Sequence, residues 1–281
     1  MTGQLDRIKE LEKLYSARQN NSSEKIVAVT SGKGGTGKTF FAANLAYQFA
    51  LTSKVLLVDL DFNLSNLNLL FNANPQKTLN NYFESRLLFN EVITKYTTNL
   101  DLVFGDSGLT NQNKPTISQI KKLFEDLNKL SHKYDLIIFD LGAGVTEENL
   151  FILSKVKSKM IITNPEPTAL MDAYVLIKLL KSNNADDGIN VIVNRCVDEH
   201  EGYQAFDNLK SAVDHFLNTK INFVAEIPES TDVRKSIIDQ KLLAEKQKSS
   251  PVITSINRSI SEFSKNHQVL NINQPSMQPS F

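Results

Sequence analysis

The sequence predicts an α/β fold: a doubly wound, mainly parallel sheet with helices on both faces. Two observations carry that prediction. Apolar runs of strand length recur along the chain at helix-length spacing, and a glycine-rich loop joins the first run to a helical pattern. The chain has 281 residues, 41% hydrophobic and 22% charged, enough for one large domain or two small ones and too apolar for a disordered chain. Lys and Arg number 31 and Asp and Glu 31, so no net field draws the molecule to nucleic acid or an anionic membrane, and any such surface is a local patch. The single cysteine, Cys196, cannot form an intrachain disulfide or a thiolate cluster by itself, which suits a reducing, cytoplasmic location. No apolar run approaches the roughly 18 residues of a membrane span. The N-terminus lacks the apolar stretch of a secretion signal.

In chain order, Leu5, Ile8, Leu11, Leu14 and Tyr15 recur at helical spacing and Asn20–Ser23 is a polar linker, so residues 1–23 read as a helix and its tether. The runs Ile26–Val29, Val55–Val58, Leu100–Phe104, Leu136–Phe139, Met160–Ile162, Val191–Val193 and Phe223–Ala225 are the expected strands of one domain over 24–247. Ile117, Ile120, Leu123, Phe124, Leu127 and Leu130 form a helical stripe, read as core packing. In 248–281, Val252, Ile253, Ile256, Ile260 and Phe263 predict a terminal helix, followed by a polar tail with two prolines.

Between the first strand and its helix, Gly32-Lys33-Gly34-Gly35-Thr36-Gly37-Lys38-Thr39 fits the phosphate-binding P-loop pattern, with Phe40 next in the helix. Glycines allow the backbone to curl until successive N–H groups face phosphate oxygens, and the helix adds its positive dipole end. Lys38 is placed to neutralise charge between β- and γ-phosphates, and the Thr39 hydroxyl to coordinate Mg²⁺. Spacing alone leaves Lys33 open between a solvated side chain and a functional one. Asp59 and Asp61 share one face of a strand end, where one carboxylate can serve magnesium and the other orient a water; acidic residues also end strands simply as turn formers. Asp140 ends the apolar run Leu136–Phe139 and precedes Gly142-Ala143-Gly144, a hinge suited to sensing a γ-phosphate. Asn194-Arg195 ends another strand, where an amide can bond an adenine edge.

These residues resemble the MinD/ParA group of deviant-Walker ATPases. Gly32–Thr39 resembles its signature-lysine loop, Asp59 through Asn68 its switch I, and Asp140–Gly144 its switch II. Within that group, Pro165-Glu166-Pro167-Thr168-Ala169 with Asp172-Ala173-Tyr174 and Ile177-Lys178 resembles the FlhG (FleN, YlxH) family of flagellar-number regulators. The resemblance implies ATP and Mg²⁺ as ligands and a slow, dimer-activated ATPase. Lys33 would reach the partner's ATP across a face-to-face homodimer, Asp61 would position the hydrolytic water, and Asp140 with Asp59 and Thr39 would hold the magnesium shell. Asn194, Arg195, Pro228 and Glu229 would line the adenine pocket. Expected partners are an FlhF-like GTPase of the signal-recognition type and basal-body or transcriptional proteins of the flagellum.

Departures from the family pattern are specific. Gly3–Lys9 keeps Gln4 of the family's DQAxxLR segment but has Gly3 for the acid and Lys9 for the arginine, and Asn68 stands where relatives commonly carry Asp. From Lys241 to Phe281, five Lys/Arg against two Glu are dispersed around one modest apolar stripe, so membrane attachment is weak and reversible at most; docking of that helix on the domain is the competing reading. Other classes on the same nucleotide chemistry are a DNA-partition or other positioning ATPase, a metal-cluster carrier, and an ATP-holding adaptor with little turnover. Zero net charge speaks against DNA, and the lone cysteine against the carrier.

Overall fold

The chain folds around five consecutive buried residues, IVAVT, in β1 (Ile26–Thr30); their lack of polar alternation is the pattern of a strand covered on both faces. The structure is a computed structural model and describes residues 24–63, 65–106 and 114–266. The N-terminal helix and linker and the C-terminal tail predicted above lie outside the described residues. β2 (Val55–Leu60), β4 (Leu100–Val103), β5 (Leu136–Leu141) and β6 (Ser158–Thr163) are also buried along their lengths. β7 (Ile189–Cys196) is buried except at Asn194 and Arg195, β8 (Ile221–Pro228) except at Asn222, Phe223 and Pro228, and the two-residue β3 (Thr94–Lys95) is exposed.

The eight strands lie in the order β3-β4-β2-β5-β1-β6-β7-β8. Every pairing is parallel except that of β3 with β4. This is the expected doubly wound, mainly parallel sheet. The chain leaves central β1 for β2 on one side and later places β6 on the other, which opens a crevice at the carboxyl end of β1.

Helices cover both faces: α1 (Lys38–Phe49), α2 (Leu67–Leu70), α3 (Leu79–Phe83), α4 (Ile117–Leu130), α5 (Glu147–Lys155), α6 (Pro167–Ser182), α7 (Glu199–Leu217), α8 (Thr231–Ile238), α9 (Leu243–Lys246) and α10 (Pro251–Asn266). The stripe on α4 is core, with Ile120, Leu123 and Leu127 buried against Phe139 and its neighbours. On the other face α1 packs so closely that only Thr39, Tyr47 and Gln48 escape burial, because Ala42, Ala43 and Ala46 let its axis approach the sheet. α10 joins this second core through Val252, Ile253, Ile256 and Phe263, with Ile260 partly buried beside them. The amide of Asn44 on α1 accepts from Ala244 N at 2.9 Å, and Arg258 on α10 pairs with buried Glu226 of β8 at 2.5 Å.

Candidate active site

The loop after β1 turns through two left-handed glycines, Gly35 at φ 79° and Gly37 at φ 93°, and delivers the chain into α1, which Gly37 caps. Glycine is required at 37 for both conformation and space: an added Cβ would lie 2.4 Å from Asn194 Nδ2. At Gly32 a Cβ would strike the Asp172 carbonyl of α6 at 2.2 Å. The Ser31 hydroxyl donates to the Lys33 carbonyl at 2.8 Å and Asn194 Nδ2 to the Thr36 carbonyl at 2.7 Å. Thr36 itself is buried, and its hydroxyl has no partner among the described residues. The first N–H groups of α1 have no intrahelical acceptor. The Phe40 side chain is buried in the core, so its backbone N–H is what that residue can offer an anion.

Register brings the acids together. Asp59 on β2 pairs directly with Asp140 on β5, and Asp140 lies beside Val29 of β1, one residue before that strand ends at the loop. Asp140 is fully buried, with neither carboxylate oxygen hydrogen-bonded among the described residues. Burial foremost, then the charge of Asp59, pushes its carboxyl up to about 8; Lys38 and the adjacent Thr39 hydroxyl pull the other way without closing a bond of good geometry. Burial likewise raises Asp59 to about 6, opposed by the Ser65 hydroxyl at 2.5 Å and the Asp61 N–H at 3.0 Å. Lys38 Nζ sits 3.9 Å from Asp61 Oδ2, and Asp61 Oδ1 accepts from Asn63 N at 3.0 Å. Lys38, Thr39, Asp59, Asp61 and Asp140 therefore converge on the mouth of the loop.

Lys33 is half-exposed and bonds within its own chain to Glu166 Oε2 and Thr168 Oγ1, both at 3.2 Å. Arg195 is exposed and held at φ 61°, a left-handed conformation that costs a residue with a side chain on the order of 1 kcal/mol, at a bulge where β7 pairing with β8 shifts. Pro228 pairs across from Cys196, and Glu229 is exposed with its N–H on the Cys196 carbonyl at 2.9 Å. Asn68 lies on α2, away from the loop mouth in sequence by the length of switch I. Four residues escaped the sequence reading in these roles: Ser65, which clamps Asp59; Glu166 and Thr168 as partners of Lys33; and Asn149, whose amide donates to the Gly142 and Gly144 carbonyls at 2.9 and 3.2 Å and shapes switch II. Asn149 had a readable signal, three residues after the Thr146 helix cap; the others pair only through the fold.

The donor set fits Mg²⁺. Its members are hard oxygens, among them an orphaned buried carboxylate, and no group of three His, Cys, Asp or Glu suited to caging a metal occurs among the described residues. Mg²⁺ commonly takes one or two protein oxygens and leaves its other positions to water and substrate phosphates. Cys196 is buried, its thiol pushed up to about 12 by burial and then by Glu201, which makes it a poor metal ligand.

Comparison with known proteins agrees with this fold. A family model described as ParA, NUBPL iron-transfer P-loop NTPase, matches residues 22–263. The antiactivator FleN of Pseudomonas aeruginosa is 30% identical over 222 residues, 79% of each chain. The flagellum site-determining protein YlxH of Helicobacter pylori is 28% identical over 241 residues, 85% of this chain and 81% of its own. The cell division ATPase MinD of Pyrococcus furiosus has the same fold, with a TM-score of 0.69 at 23% identity over 86% of this chain and 99% of MinD. With its phosphate loop, paired acidic strands and sheet order all of one type, the chain belongs to the ParA family of P-loop NTPases, in the branch that holds FleN and YlxH, and is an ATPase.

Proposed function

We propose that the protein is an ATP-dependent dimerising switch that sets flagellar number or placement by binding partner proteins, with hydrolysis as its clock. The observation that carries the nucleotide chemistry is Asp140, a buried and unpartnered carboxylate beside Lys38 and Thr39. The flagellar assignment is supported by likeness to an antiactivator and a flagellum site-determining protein.

The chain's residues divide the work. Loop N–H groups and Lys38 hold the β- and γ-phosphates. Mg²⁺, held by Thr39 and Asp140 with Asp59 behind them, would supply positive charge at the same oxygens. Lys38 leaves Asp61 when triphosphate enters, and the Asp61 carboxylate then orients the water that attacks the γ-phosphorus as ADP departs. Lys33 has to give up Glu166 and Thr168 to reach a partner's nucleotide. That pair is 41% and 61% exposed, a kind of contact worth about 0–1 kcal/mol, so a triphosphate can displace it. ATP thereby joins two subunits and hydrolysis releases them.

The helix that would meet a lipid surface uses Val252, Ile253, Ile256 and Phe263 in the core, so lipid attachment through it requires undocking. No helix among the described residues is long and apolar enough to cross a membrane. The family model's description mentions iron transfer; metal-cluster carriage lacks support here because a shared cluster needs paired thiolates and Cys196 is single and buried.

The test is solution mass with ATP and Mg²⁺ against ADP. Wild type is expected to double its mass with ATP, Lys33→Ala to stay monomeric, and Asp61→Ala to bind ATP and remain dimeric with hydrolysis at least about a hundredfold slower. A wild type that stays monomeric with ATP sinks the switch. Pull-downs of flagellar partners under ATP and ADP then read the output.

A further inference from the structure

We infer that the segment ahead of the domain, residues 1–23, docks its apolar stripe into a groove on the outer side of α5, between α4 and α6. The groove, the point where the segment leaves the domain, and the charges on both partners each bear on this.

The groove has a volume of about 490 Å³ and runs from Ile117 and Glu147, at the start of α4 and α5, to Ser154 near the end of α5 and Asn183 just past α6. Its floor is Leu150 and Phe151, which with Glu147 and Ser154 share one side of α5 at i, i+3, i+4 and i+7. Ile117, Leu150 and Phe151 are only half-buried, packed on the core from one side. Lys121 Nζ and Lys155 Nζ stand 5.8 and 5.5 Å from the centre of the Phe151 ring, so the apolar floor is flanked by two ammonium groups.

The segment leaves the domain at the foot of that groove. Glu24 Oε1 accepts from Lys157 Nζ at 2.7 Å, just beyond the end of α5, and Lys25 Nζ donates to the Ser131 and Tyr134 carbonyls at 3.3 and 3.1 Å, just beyond the end of α4. The linker Asn20–Ser23 reaches about 13 Å when extended, which lets the chain turn back along α5. So short a tether holds the segment at an effective concentration on the order of millimolar, and a modest contact is enough to dock it. Lengths agree: at helical rise residues 5–15 span about 16 Å, and α5 about 14 Å. Glu12 follows Ile8 by four residues and so falls among Leu5, Ile8, Leu11 and Tyr15 on the same side. An acid inside an apolar stripe is repelled by an anionic lipid surface and is matched by Lys121 and Lys155. Docked there, the stripe is withheld from other proteins and lies on the helix whose Asn149 amide shapes switch II.

The test is amide hydrogen exchange, read by mass spectrometry on the full chain, for wild type, Phe151→Asp and the double variant Ile8→Asp with Leu11→Asp, with thermal melts to establish folding. Each variant is read on the opposite partner, where a local disturbance does not reach. Residues 5–15 are expected to exchange about tenfold faster in Phe151→Asp than in wild type, and α5 about tenfold faster in the double variant. Equal exchange of residues 5–15 in wild type and folded Phe151→Asp overturns the proposal, and so does an α5 indifferent to the double variant. Protection that fades on dilution from about 100 to about 1 µM assigns the groove to the segment of a second copy and overturns docking within one chain. Should Phe151→Asp fail to fold, the double variant, which leaves the domain's sequence intact, decides alone.

Discussion

Asp140 is a side chain whose energetic cost is set by its burial and by the carboxylate opposite it. A carboxyl of ordinary pKa near 3.9 is carried up to about 8 by burial and by Asp59, so the folded protein holds a proton that the unfolded chain has released. Between about pH 4 and pH 8 the folded state binds more protons than the unfolded one, and stability from this group falls as pH rises across that window. Asp140→Asn removes the ionisation and keeps the shape. Thermal melts without ligand should show the variant more stable than wild type at pH 8, by about 1–2 kcal/mol, and nearly equal at pH 4, while ATPase activity is lost. Equal melts at both pH values would contradict the burial account. The place of Asp140 at the tip of a buried strand was legible from the four apolar residues before it; the raised pKa was not, since it depends on full burial in the fold and on Asp59 standing opposite in the parallel register.

At the scale of elements, α10 is the clearest case of a choice that sequence left open. Its stripe fits a lipid surface or a protein groove equally well, because both ask only for apolar residues at helical spacing. The groove is supplied by α1 and β8, and Arg258 finds Glu226 there. Ile256→Ala should therefore cost about 2–5 kcal/mol in chemical denaturation, whereas Ile238→Ala, at a residue 68% exposed, should stay within about 0.5 kcal/mol. The strands were legible because residues buried on both faces form uninterrupted apolar runs. β3 was not: two exposed residues carry no period, and they pair with β4 only because the chain returns there. α2 and α3, of four and five residues, are likewise too short for a helical pattern to show.

For the molecule as a whole, equal numbers of cations and anions mean that long-range attraction to polyanions is absent, and recognition has to work through local surfaces. A gel shift with nonspecific duplex DNA at physiological salt should show no ATP-dependent band; a band that appears with ATP and fades with salt would favour the partition reading. The surface next to the nucleotide mouth instead carries Lys33 on one side and exposed Val145 and Met171 beside switch II and on α6. A nucleotide-gated contact between copies would draw on that combination of one charge and a small apolar area.

Sequence by itself determined the alternation of strands and helices, the phosphate loop and the acidic strand ends, since each is a local pattern: a period, a run of glycines, a carboxylate after apolar residues. Tertiary structure alone decided what Lys33 holds, which carboxylates face each other, where the apolar side of α10 goes, and that Asn194 reaches Thr36. Those are meetings of residues far apart along the chain, fixed by strand order and register, and no local pattern encodes them.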